Sequence, residues 1–361
     1  VRNGERRELA LCGVLALGLL LRLDLAILAG VVLGFVALHG GFLEGRRGRW
    51  ATGISLLLAA PIAYEVFRVA YFGEWLPNTY FLKLTGVDLG VRVLRGASVF
   101  VDFLAVAGAP LALVAIGVIP LLRSHIALRL PFALVLAFFA YSVYTGGDAW
   151  DKTHLAANRF EAIAMPMVFV MLGALFNIGL DGYRRWAEAH QGLRFPSFYV
   201  VAPVTLACAL LVNGLWAADR SARRWADVLV TERPFNTEKR ARITGEIQAL
   251  ARFVSPDAKV ATVWAGVPAY FSEFRMVDTL GYNDRHIAHL DAANGVDLDS
   301  TSYFWPGHIK WDYEWTYGVM QPDVVFQTWP PSGKGVPERM QEFGFVPRHG
   351  VWVRPDSPRV R

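Results

Sequence analysis

Cysteine is almost missing from this chain, with two in 361 residues. Cys12 and Cys208 each fall inside an apolar run, which excludes a disulfide framework and a CxxC metal site and leaves both as small packing residues. Charge is scarce too, at 19% of residues against a hydrophobic share of 54%, a balance more apolar than soluble domains carry. GxSxG, the Walker A loop, the Rossmann glycine pattern and HExxH are all absent, so the common signatures of soluble enzymes give no guidance. No internal repeat or low-complexity tract is visible, which counts against an inverted-repeat transporter.

What is present is unevenly spread. Most of the apolar excess lies between Leu9 and Ala217, whereas Asp219 to Arg361 has the composition of an ordinary soluble domain. A spanning helix needs about 20 mostly apolar residues to cross about 30 Å of hydrocarbon. The runs Ala51 to Tyr71, Val99 to Leu122, Leu130 to Tyr144, Ala162 to Leu180 and Ser197 to Ala217 are the candidates, the third being short without its flanks. From Leu9 to Leu38 the run is interrupted by Arg22 and Asp24. It forms either a tight helical hairpin, the preferred reading, or one long helix with an intramembrane ion pair. The expected architecture is a multi-pass α-helical membrane domain over residues 1–219, with about six to seven helices, followed by a soluble α/β domain over 220–361.

The net charge of +5 does not signal nucleic acid, because the arginines cluster in short loops between apolar runs. Arg46, Arg47 and Arg49 form one such loop, Arg123 and Arg129 a second, and Arg184, Arg185 and Arg194 a third. By the positive-inside rule these loops are cytoplasmic. Alternation then places 72–98, 145–161 and everything after Ala217 on the outer face.

The outer segment 72–98 contains Gly73-Glu74-Trp75-Leu76-Pro77-Asn78-Thr79-Tyr80, where Pro77 halts helix propagation and Asn78 suits a turn or cap. Tyr71, Phe72, Trp75, Tyr80 and Phe81 suit the headgroup level. In the terminal domain, Thr237 to Phe253 carries Ile243, Ile247, Leu250 and Phe253 on one helical face. Lys259 to Val263, Met276 to Leu280, Asp323 to Gln327 and Val351 to Arg354 are expected strands, and Glu338 to Phe343 a short helix.

Several clusters can carry chemistry. Gly146-Gly147-Asp148 lies just outside the Leu130 to Tyr144 run, with Asn158-Arg159-Phe160 leading into the next. Arg159 can grip a phosphate in a bidentate fork, and Asp148 can orient it or ligate a cation; a turn closed by a local Asp148 and Arg159 pair is the plainer reading. Arg22 and Asp24, ionisable at a membrane edge, serve either a ligand or a pair that closes a hairpin. Glu65 and Arg68 are explained by a surface pair at i,i+3. The stretch Asp278-Thr279-Leu280-Gly281-Tyr282-Asn283-Asp284 and the aromatic-rich Pro306-Gly307-His308-Ile309-Lys310-Trp311 show no metal-ligand spacing, and ordinary loop chemistry accounts for both.

Taken in order, Arg22-Leu23-Asp24, the Leu76-Pro77-Asn78-Thr79 block, Gly146-Gly147-Asp148 with Asn158-Arg159-Phe160, and Asp278 through Ala288 resemble a bacterial membrane family. It contains the terminal β-arabinofuranosyltransferases of mycobacterial cell walls and the flagellar-motor-control proteins. The resemblance covers nearly the whole chain, and its members are similar to GT-C glycosyltransferases. It implies transfer of a sugar from a polyprenyl-phosphate donor to a glycan or glycolipid acceptor at the outer face of the bacterial inner membrane, with a divalent cation as an open question. On that resemblance Arg22, Lys83, His154 and Arg159 would hold the donor phosphate. Asp24, Glu74, Asn78 and Asp148 would line the sugar or acceptor cavity, with Asp148 as a substitute base. Asp278, Asn283, Asp284, His308 and Lys310 would serve in loops of the outer domain, which would help bind the polymer. The acidic pair that the family carries on its first outer loop is not found, so the chain is expected to be an amino-terminally shortened member; a non-catalytic membrane scaffold or motor-associated protein is the alternative.

Overall fold

The computed structural model describes residues 7–39, 47–149, 159–189, 237–293, 305–329 and 336–361. The expected span Ser197 to Ala217 and the candidate His154 lie outside the described residues. The chain divides into two compact units: Val1–Trp75, Gly96–Gly147 and Thr153–Ala217 form one, and Leu76–Arg95, Asp148–Lys152 and Ala218–Arg361 the other. Sequence placed the boundary near residue 219; the fold sends two earlier segments to the terminal unit as well.

The first unit is helical. Helix α1 (Arg7–Leu21) ends at Arg22, a 3-10 turn covers Leu23–Leu25, and α2 (Ala26–Leu38) follows. The break occurs where charge enters the apolar run: Arg22 is extended (φ −153°, ψ 125°) and its Nε donates to Asp24 Oδ1 at 2.9 Å. Ala29 and Val32 of α2 share one core cluster with Cys12, Leu15 and Ala16 of α1, so the chain folds back as a hairpin. Trp50 and Leu57 of α3 (Arg47–Phe72) complete that cluster. A Cβ at Gly53 of α3 would lie 2.9 Å from Cys12 Sγ, so glycine lets these two helices approach closely.

Among the described residues this unit also holds α5 (Leu89–Ser124) from Gly96 onward, α6 (Arg129–Thr145) and α7 (Arg159–Ala189). Leu134, Val135 and Phe138 of α6 pack with Ala164, Val168, Met171 and Leu172 of α7 and Val114 of α5. Three helical stretches, Gly48–Phe72, Ile126–Thr145 and Arg159–Trp186, are long and apolar enough to cross a membrane. They leave large apolar side chains such as Leu56, Ile62, Phe67, Leu136, Phe169 and Val170 exposed. Helix α6 stops at Gly146, left-handed at φ 81°, and Gly147 N–H closes back onto Ser142 O at 2.8 Å. A glycine just past the last turn is the usual helix stop, because it takes positive φ without a Cβ clash.

The second unit contains α4 (Asn78–Leu84), which precedes α5 in the chain, and an α/β fold. After α8 (Thr237–Leu250) come β1 (Lys259–Thr262), α9 (Val267–Tyr270), β2 (Arg275–Asp278), α10 (Arg285–Ala288), β3 (Val324–Val325), α11 (Val336–Glu342), β4 (Val346–Arg348) and β5 (Val351–Val353). The sheet order is β2-β1-β3-β5-β4, with β1 parallel to β2 and β3, and β5 antiparallel to both β3 and β4. Ile247 and Leu250 of α8 cover one face through Val260, Val324 and Val353. Tyr317 and Met340 cover the other through Ala261, Val277 and Val325. The two central parallel strands are therefore buried on both faces, which is why Val260-Ala261 and Val324-Val325 are consecutive apolar residues rather than alternating patterns.

Candidate functional site

Pro77, extended at φ −69° and ψ 152°, sets the start of α4. The helix is then fixed by a lysine far along the chain. Lys310, with no exposed surface, donates from Nζ to Phe81 O at 3.0 Å, Thr85 Oγ1 at 3.0 Å and Ala288 O at 3.1 Å. Three acceptors match the three N–H groups of an ammonium, which is how a buried cation is tolerated. Burial lowers its pKa, while Asp291 pulls the other way. The Phe81 ring lies 3.9 Å from that of His289, and Asn78 Nδ2 donates to Tyr282 O at 3.3 Å. Gly86 (φ 73°) passes so close that a Cβ there would sit 3.0 Å from Asp291 Cα.

The loop after β2 uses its carboxylates internally. Asp278 Oδ1 accepts from Leu280 N–H at 2.9 Å and Oδ2 from Asn283 N–H at 2.7 Å. Its carboxyl pKa is nevertheless raised, because burial outweighs those amides. Asp284 caps α10 through Ile287 N–H at 3.0 Å and accepts from Trp315 Nε1 at 2.9 Å. Beside it His286 Nε2 lies 3.0 Å from Asp312 Oδ2, its ring stacked 4.2 Å from Trp315. Asp278, Asp284 and Lys310, candidates on sequence, thus shape the loops that carry other groups; Asn283 has an exposed side chain.

Those other groups lie on the loops leaving the carboxyl ends of β1, β2 and β3, the edge at which open α/β sheets bind ligands. Val263, Leu280 and Trp329 are packed by Trp264, Tyr282, Trp305 and Trp311. The His308 ring lies 5.7 Å from Tyr282 and 5.6 Å from Trp329, and the Tyr313 hydroxyl donates to Trp329 O. Gly307 (φ 83°) leaves room for Tyr282, since a Cβ there would meet its Oη at 2.7 Å, and Lys83 Cγ lies within ordinary contact of the same position at 3.6 Å. Burial lowers the His308 pKa; the Lys83 ammonium lowers it further, while the Pro306 carbonyl and Asp148 act in the opposite direction. Asn78, Lys83, Asp148, Tyr282 and His308, drawn from four distant stretches of sequence, are thereby gathered at one edge. Asp148 Oδ1 accepts its neighbour's N–H, from Ala149, at 2.8 Å, and Arg95, buried on the first turns of α5, donates to Asp148 O at 2.9 Å.

A second cluster belongs to the helical unit. Arg22, Asp24 and Arg159 all lie within electrostatic reach of Tyr141 near the end of α6. Arg159 lies over the Phe160 ring at 5.3 Å, and Ser142 Oγ donates to the fully buried Glu161 at 3.2 Å. Sequence singled out the two arginines and Asp24, and the fold brings them together. Glu74 also belongs to this unit, half-buried beyond α3.

Tyr141, Glu161, Arg95, Tyr282 and Trp329 were missed. Tyr282 lies inside the Asp278 to Asp284 stretch, where one aromatic among turn formers carries no signal of its own. Arg95 and Glu161 reveal themselves only through burial. Among the described residues no three side chains of His, Cys, Asp and Glu gather as a cation site.

A family model described as a domain of unknown function (DUF8728) matches residues 234–349. That stretch holds α8, β1 to β4 and the aromatic loops, but not α4. No curated protein and no solved structure matches the chain.

Proposed function

We propose that this chain is a multi-pass membrane glycosyltransferase of the GT-C kind, moving a sugar from a polyprenyl-phosphate donor to a cell-envelope glycan or glycolipid. It acts at the outer face of a bacterial inner membrane, with the carboxy-terminal unit outside. The observation that carries this reading is the gathering of Lys83, Asn78 and Asp148 against Tyr282, His308 and Trp329 within one unit. Aromatic faces suit the apolar face of a sugar ring, and a lysine beside them suits an anionic leaving group. Three apolar helices of membrane length, with large apolar side chains facing outward, suit a lipid-linked donor.

In this mechanism the acceptor hydroxyl oxygen attacks the anomeric carbon as the bond from that carbon to the lipid phosphate breaks. The hydroxyl proton passes to a carboxylate, with Asp148 as the candidate, and positive charge spreads over the sugar ring. Lys83 takes up the charge on the departing phosphate. A divalent cation bound with the donor would supply further charge neutralisation.

The test is transfer of labelled sugar from a polyprenyl-phosphate donor by the chain in proteoliposomes. Asp148→Asn and Lys83→Ala are expected to lower transfer at least about a hundredfold, the scale of a general base or a charge-stabilising contact, with membrane insertion intact. Full transfer by both variants would sink the site. One observation favours a non-catalytic scaffold of the same architecture: the Asp148 carboxylate is already engaged by Ala149 N–H. No transfer by the unaltered chain, together with retention in a membrane complex, selects that alternative.

A further inference from the structure

The Asp148 carboxylate follows a joint that has little stiffness of its own. After α6 come two consecutive glycines, Gly146 and Gly147, both at positive φ (81° and 75°). Glycine gives up more conformational freedom on folding than any other residue, so a two-glycine joint keeps one shape only when contacts hold it at both ends. The near end is held by α6, through Gly147 N–H to Ser142 O at 2.8 Å and Gly146 N–H to Val143 O at 3.1 Å. The far end is held by Arg95, which is 1% exposed and donates from Nη2 to Asp148 O at 2.9 Å across 53 positions of sequence. Arg95 and Asp148 both belong to the second unit.

That bond reaches the carboxylate through a single peptide group. The peptide between Asp148 and Ala149 presents its carbonyl to Arg95 and its N–H to Asp148 Oδ1, the latter at 2.8 Å. A peptide group is planar, so fixing its carbonyl fixes the direction of its N–H, and with it the carboxylate oxygen that the N–H holds. The guanidinium also polarises the amide and strengthens its N–H as a donor. A carboxylate offers about four acceptor positions, so one bond from Ala149 aims it without exhausting it. Packing alone does not account for Arg95, because an apolar side chain of similar volume fills a buried space without the desolvation cost of a guanidinium.

We infer that Arg95 is the positioning residue for Asp148: through the 148–149 peptide its guanidinium sets where the carboxylate points. The role of Asp148 rests on the transferase reading, the role of Arg95 on the geometry, and the two are measured separately. The experiment uses the full chain in proteoliposomes. Arg95→Met keeps most of the volume and removes every donor, while Arg95→Lys keeps the charge and a donor for the carbonyl. Arg95→Gln, with a neutral donor, replaces the methionine variant if that variant does not insert.

Hydrogen exchange across Gly146 to Ala149 is expected to quicken about tenfold in Arg95→Met, the scale of one lost charge-assisted bond, and to recover at least in part in Arg95→Lys. A packing role gives no such recovery, since methionine fills the space as well as lysine does. In the same variant kcat for transfer is expected to fall about tenfold to a hundredfold, with the donor KM changed less than about twofold. In an Asp148→Asn background Arg95→Met should lower transfer no further, because a positioning residue acts only through the group it positions. Unchanged exchange, undiminished kcat, equal behaviour of the methionine and lysine variants, or a full additional loss in the Asp148→Asn background overturns the assignment. If the unaltered chain transfers no sugar, the transferase reading falls, and exchange alone decides whether Arg95 sets the Asp148 loop.

Discussion

Lys310 Nζ donates to Phe81 O at 3.0 Å across 229 positions of sequence, and this contact ties α4 to the α/β unit. The same ammonium holds Thr85 and Ala288, so Lys310→Met would leave the buried Ala288 carbonyl without its donor and remove the link to Phe81 O and Thr85 Oγ1, while keeping most of the side-chain volume. The expected cost is about 2–4 kcal/mol from the unanswered carbonyl and the lost charge-assisted bonds. In the full chain this is read as a lowered unfolding midpoint, with protease cleavage appearing between residues 76 and 95. Unchanged protection of that segment would contradict the role assigned to Lys310.

His308 makes the second unit acid-sensitive. Its pKa is lowered in the folded chain, first by burial and then by Lys83. A depressed folded value means that neutral histidine contributes stability above the unfolded pKa of about 6.5, and that this contribution is lost as pH falls through the lower folded value. Thermal unfolding of the second unit, followed from about pH 8 to about pH 5, should therefore show a midpoint that drops on acidification. His308→Gln should flatten that part of the profile. An identical slope in the variant would assign the acid sensitivity elsewhere.

The helical runs at Gly48–Phe72, Ile126–Thr145 and Arg159–Trp186 and the main strands were legible because each is a local pattern: an apolar run of membrane length, or aliphatic residues between turn formers; the expected Val99 to Leu122 run is helical, but only Pro110–Ile119 of it stands out as an apolar stretch. The break at Arg22 was legible because charge inside an apolar run has few outcomes. β4 escaped notice because Val346-Pro347-Arg348 is short and contains a proline, tolerated there because β4 is an edge strand with one neighbour. The placement of α4 was not legible, since it depends on one lysine far along the chain. Nor was the use of Asp278 and Asp284 by the loop's own amides, because a carboxylate that shapes a loop and one that binds a ligand look alike in sequence.

Asp323 joins three parts of the sheet. Its carboxylate accepts from Lys259 N–H at 2.8 Å and from the Ser357 hydroxyl at 2.6 Å, and its carbonyl accepts from Arg354 N–H at 2.9 Å. Asp323→Ala removes only the side-chain acceptors, leaving a half-buried amide and a buried hydroxyl unanswered and removing the partner 3.8 Å from Arg359 Nη1. A loss of about 2–3 kcal/mol is expected, measured by denaturant unfolding, whereas Asp356→Ala at an exposed position should change little. Equal effects at the two positions would remove Asp323 from the sheet's supports.

Gly96 and Gly108 of α5 offer opposite outcomes from the same substitution. A Cβ at Gly96 would lie 2.2 Å from Val143 O and 2.7 Å from Val143 Cα, both backbone atoms of α6 that cannot rotate away. At Gly108 a Cβ would meet nothing within 4 Å. Alanine in a helix interior is favoured over glycine by up to about 1 kcal/mol, so Gly108→Ala should leave the thermal midpoint unchanged or raise it. Gly96→Ala must push α5 away from α6, at a cost of about 1–3 kcal/mol or more, and should lower the midpoint in the same detergent. Because both changes add one methyl group to one helix, a shared effect on solubilisation or propensity cancels between them. The difference in midpoint then reports the close approach of Gly96 to Val143, and no difference would mean that the two helices are not in contact there.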